Sequence, residues 1–71
     1  MSVEGWLAVA EMARRRAASW RESAQAYTRE SWKREALEEA RRAENDAAYY
    51  AFKAECERDW TAYQRTRETV K

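Results

Sequence analysis

The chain has 71 residues, with 14 Lys or Arg against 13 Asp or Glu and a net charge of +1. That length allows one small domain over residues 1–71, and the charge balance excludes a general electrostatic pull toward nucleic acid or anionic lipid. There is no His, which removes the usual general base and the commonest zinc ligand, and the single Gly excludes a glycine-rich phosphate loop.

Apolar residues make up 45% of the chain, yet only Val3, Leu7, Val9, Leu37, Phe52 and Val70 are large aliphatic or Phe side chains. Fifteen alanines and eight Trp and Tyr residues supply most of the rest. Alanine adds little burial, so so short a chain is expected to need a second chain, with Trp and Tyr providing much of the buried area. Zero Pro and one Gly argue against a loop-rich or β-rich fold, while balanced charge and 13% aromatics argue against disorder. The class expected is all-α.

From the N-terminus, a three-four spacing runs through Val3, Trp6, Ala10, Ala13, Ala17, Trp20, Ala24 and Tyr27 without a charged residue. It predicts a helix over about 3–28 with one close-packing seam, Ser2 as N-cap and Gly5 in the first turn. A second stripe, Trp32, Ala36, Ala40, Ala43, Ala47, Tyr50 and Ala54, has its heptad phase displaced by two positions. The break falls within 28–31, where a tight turn is expected with Ser31 as N-cap and Thr28 as rival; one continuous helix with a stutter is the alternative. A second helix then follows over about 32–67.

Asn45–Asp46 is another possible break, giving a three-helix bundle. Against it, the alanine stripe keeps its phase from Ala43 to Ala47, and Glu30, Arg34, Glu38, Arg42 and Asp46 form an alternating ladder that meets only in a continuous helix. An offset of thirty also relates Ala10, Ala13, Ala17, Ala18, Trp20 and Ala24 to Ala40, Ala43, Ala47, Ala48, Tyr50 and Ala54. Two such seams in succession suit an antiparallel hairpin.

At about 1.5 Å per residue the second helix outruns the first, and a further apolar stripe, Tyr49, Phe52, Cys56, Trp60 and Tyr63, begins on its other side. The hairpin covers one side only. The stripe is therefore expected to be an interface, either for a homodimer that forms a four-helix bundle or for a foreign protein; internal packing as a third helix is the alternative. Phe52 and Trp60 around Cys56 suggest a packed thiol, with Lys53 nearby as the one feature favouring a reactive one.

Other clusters carry less. Glu35, Glu38 and Glu39, and Glu55, Glu57 and Asp59, lie among basic residues and read as solvated faces rather than acid–base or metal sites. Arg14, Arg15 and Arg16 fan over about 200° of a helix, and Glu11 is placed to pair with Arg15. With Arg41 and Arg42 they are candidates for an anion, a nucleotide or nucleic acid, with Trp20 and Tyr27 as possible base-stacking rings.

The chain is therefore read as a non-enzyme without cofactor or metal, binding itself and another protein as a stoichiometric inhibitor or adaptor. Trp60 and Tyr63 would be anchors, flanked by Arg58, Arg65 and Arg67. Richness in Ala and Arg fits a GC-rich genome, and small accessory proteins of phages and mobile elements share this profile. The alternatives are the anion-binding module and a structural coiled-coil element. No apolar stretch approaches the ~20 residues of a membrane span. Trp6–Ala10 is too short for a secretory signal, with Arg14–Arg16 after it instead of before it, and one Cys makes no internal disulfide; the cytoplasm is the expected location.

Overall fold

The computed structural model of the chain describes residues 1–69 and contains two helices, α1 (Val3–Ala26) and α2 (Glu30–Thr69), packed as a hairpin. α2 passes through Asn45 and Asp46 without interruption, so the three-helix alternative and the single stuttered helix are both set aside. Nor does the Tyr49–Tyr63 stripe form a third helix.

α1 begins as its first residues require. The Ser2 hydroxyl accepts the Gly5 N–H at 3.1 Å, satisfying one of the backbone donors that a helix start leaves unpaired. At the other end Tyr27 leaves the helix in extended backbone, φ −76° and ψ 137°, while its own N–H still donates to the Ser23 carbonyl. The turn is Tyr27, Thr28 and Arg29. No described residue has positive φ, which is why this reversal dispenses with glycine.

Here the structure corrects the expected cap. The Arg29 carbonyl accepts from the Trp32 and Lys33 N–H groups, so α2 opens at Glu30 and Ser31 lies inside its first turn. The Glu30 carboxylate sits where the helix dipole favours negative charge. The Arg29 guanidinium lies 4.8 Å over the Trp32 ring, and Tyr27 meets Trp32 edge-on at 5.9 Å. These ring contacts close the turn in place of a hydroxyl cap.

Every buried residue among those described is an alanine: Ala10, Ala13, Ala17 and Ala24 from α1, and Ala36, Ala40, Ala43, Ala47 and Ala54 from α2. Methyl-sized side chains let the two backbones approach closely. Trp and Tyr at seam positions then have no room between the helices and lean out over its edges. Trp6, Trp20, Tyr27 and Tyr50 are only half-buried, and Trp32 is exposed. The aromatics thus brace the flanks of the seam and do not fill it, contrary to the expectation that they would be its buried bulk.

Trp6 and Tyr50 stack across the hairpin with centroids 6.0 Å apart. Arg21 of α1 forms an ion pair with Glu44 of α2. The thirty-residue correspondence holds for burial as well: all four repeated seam alanines are buried in both helices, Ala18 and Ala48 are exposed, and Trp20 and Tyr50 are half-buried. The two helices therefore meet in a nearly symmetrical way.

With 24 residues in α1 and 40 in α2, the second helix projects past its partner. Ser2, Val3 and Glu4 lie beside Glu57, Arg58, Thr61, Ala62 and Arg65, and no described residue beyond Ala54 is buried. The molecule is 65 × 14 × 13 Å with a radius of gyration of 17.7 Å, against about 11 Å for a compact chain of this length. Its accessible surface is 5962 Å², where a compact monomer of its mass would expose roughly 4,700 Å². Among the described residues no helix is long and apolar enough to cross a membrane.

Candidate protein interface

α2 carries two opposed faces. At about 100° per residue, Tyr49, Phe52, Cys56, Trp60 and Tyr63 cluster on the side diametrically opposite Ala36–Ala54. α1 occupies the alanine side, and nothing in the chain covers the other: Tyr49 is 55%, Phe52 60%, Trp60 53% and Tyr63 57% exposed, and Cys56 is exposed as well. The thiol is thus not packed within the chain. Its Phe and Trp neighbours lie beside it on an open face.

The stripe is locally organised. Trp60 and Tyr63 stack with centroids 5.8 Å apart and ring planes at 25°. Tyr49 packs edge-on against Tyr50 at 5.8 Å, and Tyr50 in turn stacks on Trp6. The Lys53 ammonium sits 5.9 Å from the Tyr49 ring and 5.8 Å from the Trp6 ring. The near end of the stripe is therefore held against the hairpin through Tyr50 and Lys53, while its far end stands on the overhanging part of α2. There the Thr61 and Thr66 hydroxyls donate to their own helix, to the Glu57 and Ala62 carbonyls at 2.9 and 3.0 Å.

Other exposed apolar side chains, Leu7, Met12 and Leu37, occur singly, as is ordinary for a protein surface. The outer face of α2 changes character along its length. From Glu30 to Asp46 it is charged, and from Tyr49 to Tyr63 it is aromatic. Within the charged part Arg42 donates to Glu39 at 2.8 Å, three residues back, and does not continue the four-residue ladder through Glu38.

The arginines predicted to flank the stripe divide. Arg67 falls on the stripe's side of α2 by helical phase, whereas Arg58 and Arg65 line the groove beside Ser2, Val3 and Glu4 at the start of α1. In the basic run Arg14 donates to Glu11 at 3.0 Å and Arg15 pairs with the same carboxylate at 3.5 Å. Arg14 also borders a trough of Ala17, Ala18, Ala47, Ala48 and Ala51 closed by Arg21 and Glu44. Arg14, Arg15 and Arg16 are all exposed and do not converge, and Arg41 and Arg42 are exposed on α2.

One feature escaped the sequence. An open groove of about 710 Å³ near the turn is lined by Trp20, Tyr27 and Trp32 together with Glu35, Glu38, Glu39 and Arg42. The signal was present in aromatic residues at positions of an alanine seam too tight to admit them. The carboxylates around those rings oppose a phosphate ligand. No group of three or more His, Cys, Asp or Glu side chains comes together as a metal site among the described residues.

The fold and this face define an alanine-seamed antiparallel hairpin with one unpartnered aromatic surface. The chain matches no protein-family model, and no curated protein and no solved structure matches it.

Proposed function

We propose that this chain works by protein binding: it self-associates through the outer face of α2 into a four-helix assembly, and the assembly acts as a stoichiometric inhibitor or adaptor by occluding a surface of another protein. The observation that carries this reading is the exposed run Tyr49, Phe52, Cys56, Trp60 and Tyr63. Contiguous aromatic surface of this kind is uncommon on a soluble monomer, and Trp and Tyr recur as interface anchors. The excess of accessible surface over a compact monomer, on the order of 1,000 Å², is comparable to the ~800 Å² per partner of a standard stable interface. Self-association would leave the groove around Trp20, Tyr27 and Trp32 open at the turn end.

The test is the double variant Phe52→Ala, Trp60→Ala. Loss of two central anchors, each of ~2 kcal/mol or more, should convert a dimer into a monomer with a lower melting temperature, read by sedimentation equilibrium and circular dichroism. Unchanged mass and unchanged melting would defeat the proposal.

Anion binding through Arg14–Arg16 and Arg41–Arg42 has weaker support, because Arg14, Arg15 and Arg42 already pair with carboxylates. The two readings separate on salt: phosphate contacts weaken steeply as it rises, while an aromatic interface responds little. A structural coiled-coil element would instead give open-ended growth visible by light scattering.

A further inference from the structure

The spacing within the stripe reads the same in both directions. Tyr49 and Tyr63 each lie seven positions from Cys56, and Phe52 and Trp60 each lie four positions from it. All five side chains are exposed on one face of an uninterrupted helix. We infer that the occupant of this face is the α2 helix of a second copy of the chain, running antiparallel, with the twofold axis at Cys56.

This inference rests on the self-association proposed above and specifies its geometry. A twofold interface is self-complementary, so a residue a given number of positions before the axis meets the residue the same number after it. Tyr49 then packs on the second copy's Tyr63, Phe52 on the second copy's Trp60, and the two Cys56 residues face each other. Each large ring meets another ring across the axis, and the small thiol occupies the centre.

Charge supports the antiparallel sense. On one flank Lys53 lies two positions out of level with the second copy's Glu57, and Asp46 one position out of level with the second copy's Arg67, offsets that long side chains can span. On the other flank Glu55 approaches the second copy's Asp59, a like-charge contact that the two opposite pairs outnumber. The charged face between Glu30 and Arg42 separates the two senses further. In the antiparallel arrangement the second copy's Thr69 lies opposite residue 43, so Arg34, Glu38 and Arg42 do not meet their own copies. A parallel arrangement would instead bring Arg34, Glu38 and Arg42 each level with its own copy, repelling along the whole ladder. The hairpin itself already packs one helix pair in this nearly symmetrical antiparallel way around Ala13 and Ala43.

The proposed arrangement brings the two Cys56 Cα atoms into disulfide range at the wider end of ordinary helix packing: axes about 10 Å apart leave facing Cα atoms roughly 5 Å apart. The test uses the full chain. Sedimentation under reducing conditions first establishes the dimer, and diamide is then added as oxidant. The expected result is near-complete conversion to a covalent dimer through Cys56, with unchanged helix content and unchanged sedimenting mass. In a Cys56→Ser background, Tyr49→Cys and Tyr63→Cys should each cross-link poorly alone and at least tenfold better when mixed.

A monomer under reducing conditions overturns the self-association reading together with this one. A dimer in which Tyr49→Cys or Tyr63→Cys cross-links efficiently on its own overturns the antiparallel arrangement and leaves self-association standing. Should a Tyr→Cys change dissociate the dimer, Asp46→Cys mixed with Arg67→Cys takes its place with the same expectation, and absence of the wild-type Cys56 cross-link in a proven dimer removes Cys56 from the axis.

Discussion

The two long faces of α2 are built in opposite ways, one buried and one open. The inner face is made of alanine, with Ala36, Ala40, Ala43, Ala47 and Ala54 all at 5% exposure or less. The outer face, from Tyr49 on, is made of rings more than half exposed. Small side chains give the inner face close backbone approach and shape specificity but little area per residue. Large rings give the outer face area and no contact within the chain. One helix thus carries a seam already closed by α1 and a surface whose hydrophobic contribution is still unrealised. A hairpin with only alanine in its core is expected to be marginal alone, which is where the second face acquires its importance.

The strongest way to break this contrast is to spoil the inner face. Ala43→Leu puts a branched side chain where the helices leave room for a methyl, and overpacking of this kind costs ~1–3 kcal/mol, against the ~3–5 kcal/mol a core this small supplies. A melting temperature lowered by about 4–8 °C for each kcal/mol lost, read by circular dichroism, is expected. The outer-face variants Phe52→Ala and Trp60→Ala should act differently, changing mass and concentration dependence before helix content. If Ala43→Leu melted no lower than the wild type, the tight seam would not be what holds the hairpin.

A smaller effect belongs to the residues that join the faces. Trp6→Ala removes the ring that stacks on Tyr50 and lies beside the Lys53 ammonium, costing ~0.5–1.5 kcal/mol beyond the area lost. Its melting temperature should fall by a few degrees, and because Tyr50 braces Tyr49 the proposed self-association should weaken slightly as well. Smallest of all is Arg21→Ala. The Arg21–Glu44 pair crosses the hairpin in the open, with side chains 58% and 40% exposed, so about 0.2–1 kcal/mol is expected and less at high salt. A large, salt-independent loss would mean that the pair fixes helix register.

Much of this architecture was legible from periodicity. The alanine seam on each helix, the continuity of α2 through Asn45–Asp46 and the opposed stripe all follow from three-four spacing, because a helix turns a repeat in sequence into a face in space. The turn was legible only in place. Ser31 looked like a cap because a hydroxyl commonly fills that role, but the Arg29–Trp32 and Tyr27–Trp32 ring contacts start α2 earlier. The groove at Trp20, Tyr27 and Trp32 was not legible, since which seam aromatics are squeezed outward depends on how closely the two helices approach.

Local spacing alone makes the chain helical, gives each helix an alanine stripe and gives α2 an aromatic one. The packing of the two helices makes alanine the whole buried core among the described residues, sets Trp and Tyr along its edges, and turns Arg58 and Arg65 toward the start of α1 while Cys56 stands open between Phe52 and Trp60. The reason is distance between backbones: spacing along a helix sets which side chains share a face, and the closeness of the second helix sets which of them fit beneath it.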